Sequence, residues 1–509
     1  MKLCQYCGKQ LKDDAEFCFA CGRKLEVVRT KPKKAEQPEK VAAGKARKSS
    51  TAANVNKKDN RKGVALLIIT LLLLALIGGT VAYLVISGRN GKGGTDDGDG
   101  NTASQVTPAA DVTEAPDATE APEATEASDA TGAPDTTAAP GNLKLGLILL
   151  HDENSAYDNN FNIALRSAQT KLGLSDDQIV IRRDVPESNE CYEVAKDLVA
   201  LGCNVIFADS FGHEDYMIKA AKDYPDVQFC QAAGVKAHTE KLSNFHNAYA
   251  AIYDGRYLTG IAAGLKLKDM MEADPSIAPK VGFVGAFCYS EVISSYTAFY
   301  LGVKEIVPAA TMEVQFTGSW YDETEEKNAA KALISRGCVI ISQYSDSMGA
   351  PKACEEAGVP NVAYNSFNAM NCPNTFLINS RINWAPYFEY ICQQAMSGQA
   401  IDVDWVGTLE NNGVEISLVN NAVAASGTQP TLGQYTLQLK NGTLHVFDTA
   451  RFTVDGKKLT SYKADVDYDN YFEADTEVIK NGYFHESEYR SAPYFDIAID
   501  GILLFDIRY

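Results

Sequence analysis

The chain of 509 residues contains no G-x-S-x-G elbow, no H-E-x-x-H pair and no Walker loop. Those absences remove the sequence signs of an activated serine, a zinc protease and a phosphate-cradling NTPase. No enzyme activity is expected. Clustered Lys and Arg are missing from the C-terminal body. The formal net charge is −19, yet residues 1–92 carry 19 Lys and Arg against 7 Asp and Glu, a local +12 that leaves −31 for the rest. So acidic a body offers no groove for nucleic-acid phosphates. Residues 93–141 hold neither Lys nor Arg, and Val64–Ile86 holds no charge of either sign. No cysteine stands directly after that apolar run, so a lipid-modified anchor is not expected.

Four compositional segments precede the body. In residues 1–25, Cys4-x2-Cys7 and Cys18-x2-Cys21 each run into a glycine, Gly8 or Gly22. Glycine permits the tight knuckle that turns two thiolates onto one ion, and four thiolates at this spacing suit tetrahedral Zn²⁺. A segment this short cannot build a core, so the metal supplies its folding energy. Four thiolates leave no open coordination position, which makes the expected zinc structural. The segment resembles the short zinc-ribbon modules at the N-termini of many bacterial membrane proteins. Residues 26–62 are basic, lack apolar periodicity and read as a disordered tether.

Val64–Ile86 is uncharged and reaches about 34 Å as a helix, enough for a bilayer core. A signal peptide has a shorter apolar core, nearer the N-terminus. Lys57, Lys58, Arg61 and Lys62 flank its N-terminal side, against Arg89 and Lys92 on the other. That excess predicts a single-pass membrane protein with a cytoplasmic N-terminus and an extracellular body. Residues 87–142 repeat Thr-Glu-Ala-Pro-like units and read as an extended stalk.

From Leu143 onward apolar strands alternate with amphipathic helices. Strands are predicted at Leu145–Leu150, Gln178–Arg182, Asn204–Ala208 and Val227–Ala232, with helices at Phe161–Leu172, Cys191–Leu201 and Asp215–Lys222. The alternation restarts after Asn247. Short loops between alternating elements imply parallel strands covered by helices. The fold class is therefore α/β: two doubly wound parallel-sheet lobes with a hinged cleft between them, spanning residues 143–429. Residues 430–509 are expected to form a folded extension on one lobe, with strands within Gly433–His445 and Tyr494–Ile507. The eight cysteines of the body show no paired spacing and read as small buried hydrophobes rather than a disulfide framework.

The loops after the strands carry a resemblance. Asp158-x-x-Phe161-Asn162, the segment AAKDYPDVQF ending at Phe229, GFVGAFCYSEVISSYTAFYLGVKE with Gly282 and Gly285, and FTGSWYD at 316–322 occur in an order similar to the basic-membrane-protein (PnrA-like) family of ABC-transporter substrate-binding proteins. The resemblance covers about residues 143–425. It implies a periplasmic-binding-protein type 1 fold and capture of a purine nucleoside or related molecule for an ABC permease. On that reading Phe161 and Trp320, one in each half, clamp a planar base, and Asn162 addresses its edge. Asp158 receives a hydroxyl or amine, or else caps the helix beside it. Ser210 and Phe211, Gln343, and Asn365 follow other strands and are expected at the ligand or, for Asn365, at the lobe crossover. Arg381 stands where relatives often carry Lys and is expected near ribose or phosphate. Two departures remove family carboxylates: the strand at Phe229–Ala233 ends without an acid, and Tyr364-Asn365-Ser366-Phe367 replaces a V-D-S-D-like stretch. A second functional class is a ligand sensor that signals through the cytoplasmic zinc module.

Overall fold

The computed structural model describes residues 143–468 and 473–509, plus two short antiparallel strands near the N-terminus, Lys2–Leu3 and Gln10–Leu11. The four zinc-ribbon cysteines, the tether, the Val64–Ile86 span and the stalk lie outside the described residues. Among the described residues no helix is long and apolar enough to cross a membrane.

The first lobe is built from β1 (Leu145–Ile148), α1 (Ala156–Leu172), β2 (Ile179–Arg182), α2 (Asn189–Ala200), β3 (Val205–Ala208), α3 (Glu214–Asp223), β4 (Gln228–Ala232), the one-turn α4 (Ala237–Glu240) and β5 (Phe245–Ala250). The second takes α5 (Ile252–Ala273), β6 (Lys280–Gly285), α6 (Ser290–Ile306), β7 (Thr311–Phe316), α7 (Glu323–Ser335), β8 (Ile341–Tyr344), α8 (Gly349–Ala357), β9 (Asn361–Tyr364) and β10 (Phe376–Ile382). The chain then returns to the first lobe with α9 (Ala385–Ser397) and β11 (Asp404–Gly407), and crosses again to β12 (Val414–Ile416). Helix α10 (Thr428–Lys440) and the late strand β13 (Ile502–Phe505) complete the described elements used below.

The first sheet runs β11-β5-β4-β3-β1-β2, parallel throughout. The second runs β12-β10-β9-β8-β6-β7-β13, parallel except for β12 on β10. Strands buried on both faces read as continuous apolar runs, which is why β1, β3 and β6 were legible. Helix ends are set locally. Ser155 caps α1 by accepting from the Asp158 N–H, and Gly173 closes it at φ 67°. Helices α5 and α6 cross where neither has a side chain: a Cβ on Gly260 would stand 2.2 Å from the Phe299 carbonyl oxygen, and one on Gly302 2.2 Å from that of Tyr257.

The extension departs from expectation. Gly433–His445 is not a strand; most of it belongs to α10, because Leu432, Tyr435, Thr436 and Leu439 recur at helical spacing. Of Tyr494–Ile507 only Ile502–Phe505 is a strand, and it adds to the edge of the second sheet beside β7. Between them, Phe447 stacks on Phe495 at 4.2 Å and meets Tyr253 of α5 at 5.4 Å. All eight body cysteines are buried and unpaired, and burial pushes each thiol's pKa up.

Where β10 passes back to the first lobe, Trp384 is fully buried against Phe161 at 4.5 Å, with Phe207 at 5.7 Å. Replacing Trp384 by Ala is expected to cost about 3–5 kcal/mol of stability. A lowered urea midpoint at an unchanged slope checks this.

Candidate functional site

Parallel strands send all their carboxyl ends to one side, so loops from both sheets meet in the crevice between the lobes. There the structure holds a narrow, closed-down cavity of about 30 Å³. The first lobe supplies Leu150 and His151 after β1, Tyr157 and Asp158 from the first turn of α1, Ser210 and Phe211 after β3, and Ala233 after β4. The second lobe supplies Glu291 from the first turn of α6, Trp320 after β7, Tyr344 at the end of β8, and Asp346 just beyond it. The lobes touch across this space. The Ala156 N–H donates to the Asp346 carbonyl at 2.9 Å, and the hydroxyls of Tyr249 and Tyr344 meet at 2.5 Å.

Aromatic rings come from both sides. Trp320 sits edge-on to Phe287 at 5.1 Å and tilted to Tyr289 at 6.0 Å, while Phe211 lies 6.4 Å from Tyr289. Tyr157 is held by donating its hydroxyl to the Asp209 carbonyl at 2.9 Å. The cavity is also rich in carboxylates. Asp158 accepts from the His151 N–H at 2.6 Å and from the Ser155 hydroxyl, and its second oxygen lies 3.3 Å from the His151 ring. Burial opposes ionisation of Asp158, but these bonds outweigh it and hold its pKa below the usual range. Burial would also lower His151, yet its bond to Asp158 raises it. The other acids go the opposite way. Burial pushes Glu291 up to about 7. Burial, then the charge of Asp158, pushes Asp346 and the adjacent Asp209 well above the ordinary carboxylate value.

Four sequence-predicted residues, Asp158, Ser210, Phe211 and Trp320, come together at this cavity. Asp158 lines the cavity but does not cap the helix: Ser155 is the N-cap, and the Asp158 carboxylate accepts from its hydroxyl. Phe161 is corrected: it is fully buried, stacked on Trp384, and lines none of the cavities described here. It lies one helical turn beyond Asp158, on the face of α1 turned toward the sheet, where Phe207 and Tyr157 enclose it. The expected clamp of Phe161 against Trp320 is therefore absent. Asn162 is half-buried and also outside the cavity. Gln343 points away from it: its amide donates to the carbonyls of Ser345 and Ser347, shaping the loop that carries Asp346. Asn365 (φ 56°) accepts from the Asn160 side chain at 3.1 Å and the Ile382 N–H at 3.2 Å, so it binds the lobes at a crossover. Arg381 lies with it on a different cavity and is engaged by Glu415 through Nε at 2.8 Å and Nη2 at 2.6 Å.

Sequence reasoning favours ligand contact over a plain turn for the whole 343–346 stretch, and so reaches Tyr344 and Asp346, but it misses His151, Tyr157 and Glu291. A signal was present for His151, which closely follows a strand. Among the described residues no group of three His, Cys, Asp or Glu is arranged to hold a metal ion.

The family model for ABC transporter substrate-binding proteins of the PnrA-like type matches residues 151–438, and one for the zinc-ribbon domain matches residues 3–25. A protein of Haloferax volcanii named as an ABC transporter glucose-binding protein is 32% identical over 205 residues, covering 40% of this chain and 49% of its own. A purine-binding protein of Brucella abortus is 31% identical over 205 residues, 40% of this chain and 55% of its own. The chain thus spans about half the length of these curated relatives. An ABC transporter system solute-binding protein from Aeropyrum pernix K1 has a TM-score of 0.52 at 14% identity, covering 62% of this chain and 94% of that one, a likeness of fold alone.

The raised acids give a stability signature. A carboxyl whose pKa rises on folding contributes stability that is present below its unfolded pKa and is lost as pH climbs through the folded value. For Glu291 the window runs from the ordinary carboxylate range up to about 7. Glu291→Gln is expected to flatten the fall in unfolding free energy between about pH 5 and about pH 8, measured by urea titration of the full-length protein.

Proposed function

The chain belongs to the PnrA-like family of ABC transporter substrate-binding proteins, and on that premise we propose that it captures a purine nucleoside or related small molecule between its lobes and delivers it to an ABC permease. The family is one of binding proteins, not enzymes. The observation that carries the proposal is the cavity itself, where rings and carboxylates from both lobes converge. At about 30 Å³ the space is that of a closed cleft, so the lobes must part to admit a ring-and-sugar ligand. In this reading Trp320 and Tyr344 from one lobe face Tyr157 and Phe211 from the other, and the base lies among them. Asp158 and Asp346 receive hydroxyl or amine hydrogens. The names of the two relatives support a sugar and a purine respectively, and the four rings favour the flat ligand, since stacking rewards a base on its whole face.

The proposal extends to the rest of the chain. Val64–Ile86 anchors the protein in the cell membrane with the binding lobes outside. Cys4, Cys7, Cys18 and Cys21 hold a structural Zn²⁺ in the cytoplasmic module. The sensor alternative uses the same parts, with that module as the output.

Calorimetry of the full-length protein against adenosine, inosine and glucose tests the capture. Saturable heat with a purine nucleoside and none with glucose is expected; the reverse order would replace the nucleoside by a sugar. Trp320→Ala should weaken nucleoside binding by about 1–3 kcal/mol, the cost of one lost stacking face. Metal analysis tests the N-terminal module: one zinc per chain is expected, and Cys18→Ser with Cys21→Ser should abolish it without altering ligand affinity.

A further inference from the structure

The hydrogen-bonding inventory of the cavity narrows the ligand further, on the reading that the cavity is the capture site. Its walls contain three carboxylates, Asp158, Glu291 and Asp346, and neither Lys nor Arg. Most other polar groups are already engaged. The Ser210 hydroxyl donates to Glu187, the Tyr157 hydroxyl to the Asp209 carbonyl, and Tyr344 meets Tyr249. Asp158 is satisfied by His151 and Ser155. Asp346 differs. It is 6% exposed, and its backbone is fixed by the Ala156 N–H and the Trp320 carbonyl. Its carboxylate nevertheless has no hydrogen bond and no ion pair among the described residues. Glu291 has only the Tyr249 hydroxyl.

No nearby protein cation supplies the missing charge. The buried guanidinium of Arg256 donates to the hydroxyls of Ser342 and Ser380 and to the carbonyls of Ala363 and Gln343, and it faces the rings of Phe283 and Tyr364. It forms no ion pair among the described residues. His151 belongs to Asp158. The groups that act on Asp346 are instead more acids: Asp158 from α1, Glu326 from α7 and Glu291 from α6. An unpaired carboxylate in a dry site is strongly disfavoured unless it is protonated or finds a counter-charge. An anionic ligand would only add to the repulsion.

We propose that the ligand presents a positively charged nitrogen to Asp346 and Glu291, beside a ring held at Trp320 and Phe211. The class is a ring-bearing organic cation, such as an amine or a cationic base, and phosphorylated forms are excluded. In the empty protein burial favours the protonated form of both acids. The incoming cation replaces their protons, so binding releases protons to the buffer. Affinity accordingly rises as pH climbs through the neutral range, because the ionised carboxylates are the binding form.

Calorimetry on the full-length protein with tryptamine and its neutral counterpart tryptophol isolates the charge. Tryptamine should bind about tenfold or more tighter, as a charge-assisted bond in a desolvated site outweighs a neutral one. The measured heat should vary with the ionisation enthalpy of the buffer. Asp346→Asn and Glu291→Gln should each reduce the preference, and adenosine 5′-monophosphate should bind far more weakly than adenosine. Equal affinity for amine and alcohol, heat independent of buffer, or tight binding of the monophosphate would overturn the charge assignment, even if nucleosides bind. A tryptamine preference without nucleoside binding would uphold it and overturn the nucleoside reading. Binding of neither class would overturn both.

Discussion

Every feature of the cleft depends on one constraint: parallel strands deliver all their carboxyl ends to the same side. Two such sheets, joined by chain crossings after β5, β10 and β11, must present those ends to each other. Loop residues scattered from Leu150 to Asp346 thereby share one cavity, although nothing local in the sequence connects them. The crossings bring the sheets close enough for backbone contact, as the Ala156 to Asp346 bond shows. Once that approach exists, water is squeezed out, and the protonation of each acid depends on the partners it retains.

Partners explain why chemically similar carboxylates diverge. Asp158 keeps its charge because the chain folds donors around it, whereas Asp209 and Asp346 stand in equally dry surroundings with fewer donors and more acids nearby. Two roles follow from one residue type. Asp158 is part of the scaffold that starts α1 and also a wall of the cavity. Asp346 contributes almost nothing to the scaffold through its side chain, and its cost of burial is recovered only when something else donates to it.

The alternation of strands and helices was legible because strands buried on both faces need unbroken apolar runs and the intervening helices need a periodic stripe. The first-lobe strands β1 and β3 could be placed from residues alone. Strands β5 and β10 were harder: FHNAYA and FLINSRI mix polar and apolar side chains, and polar members such as His246, whose ring bonds to the distant Asp402 carbonyl, and Asn379 are buried all the same. The clamp failed for a related reason. Phe161 and Phe211 both follow first-lobe strands, and only the direction of the bond from Cα to Cβ sends one ring into the core and the other into the cleft. Spacing fixes which residues share a helical face, but the partner of that face is decided by the second lobe and by Trp384, which arrives more than 200 residues later. The motif marks the first turns of α1 rather than a loop; its Asp158 reaches the cleft, whereas its aromatic member serves the core.

The extension beyond residue 438 changes the mechanics of the two lobes. It joins the second sheet through β13, and Arg451 pairs with Glu305 of α6. It also reaches the first lobe, where Thr239 donates to the Asp467 carbonyl at 2.8 Å and the Ser491 N–H donates to Asp404 of β11 at 2.7 Å. A segment bonded to both lobes opposes their separation in a way the three crossings alone do not. The two sets of bonds are unequal. Those to the second lobe include a run of four strand-paired residues, Ile502–Phe505, which come apart only together. Those to the first lobe are isolated single bonds, replaceable by water at small net cost. Opening of the cleft should thus carry the extension with the second lobe and release it from the first. The contacts at Asp467 and Ser491 then form part of the difference in energy between the open and closed states, although neither residue lines the cavity.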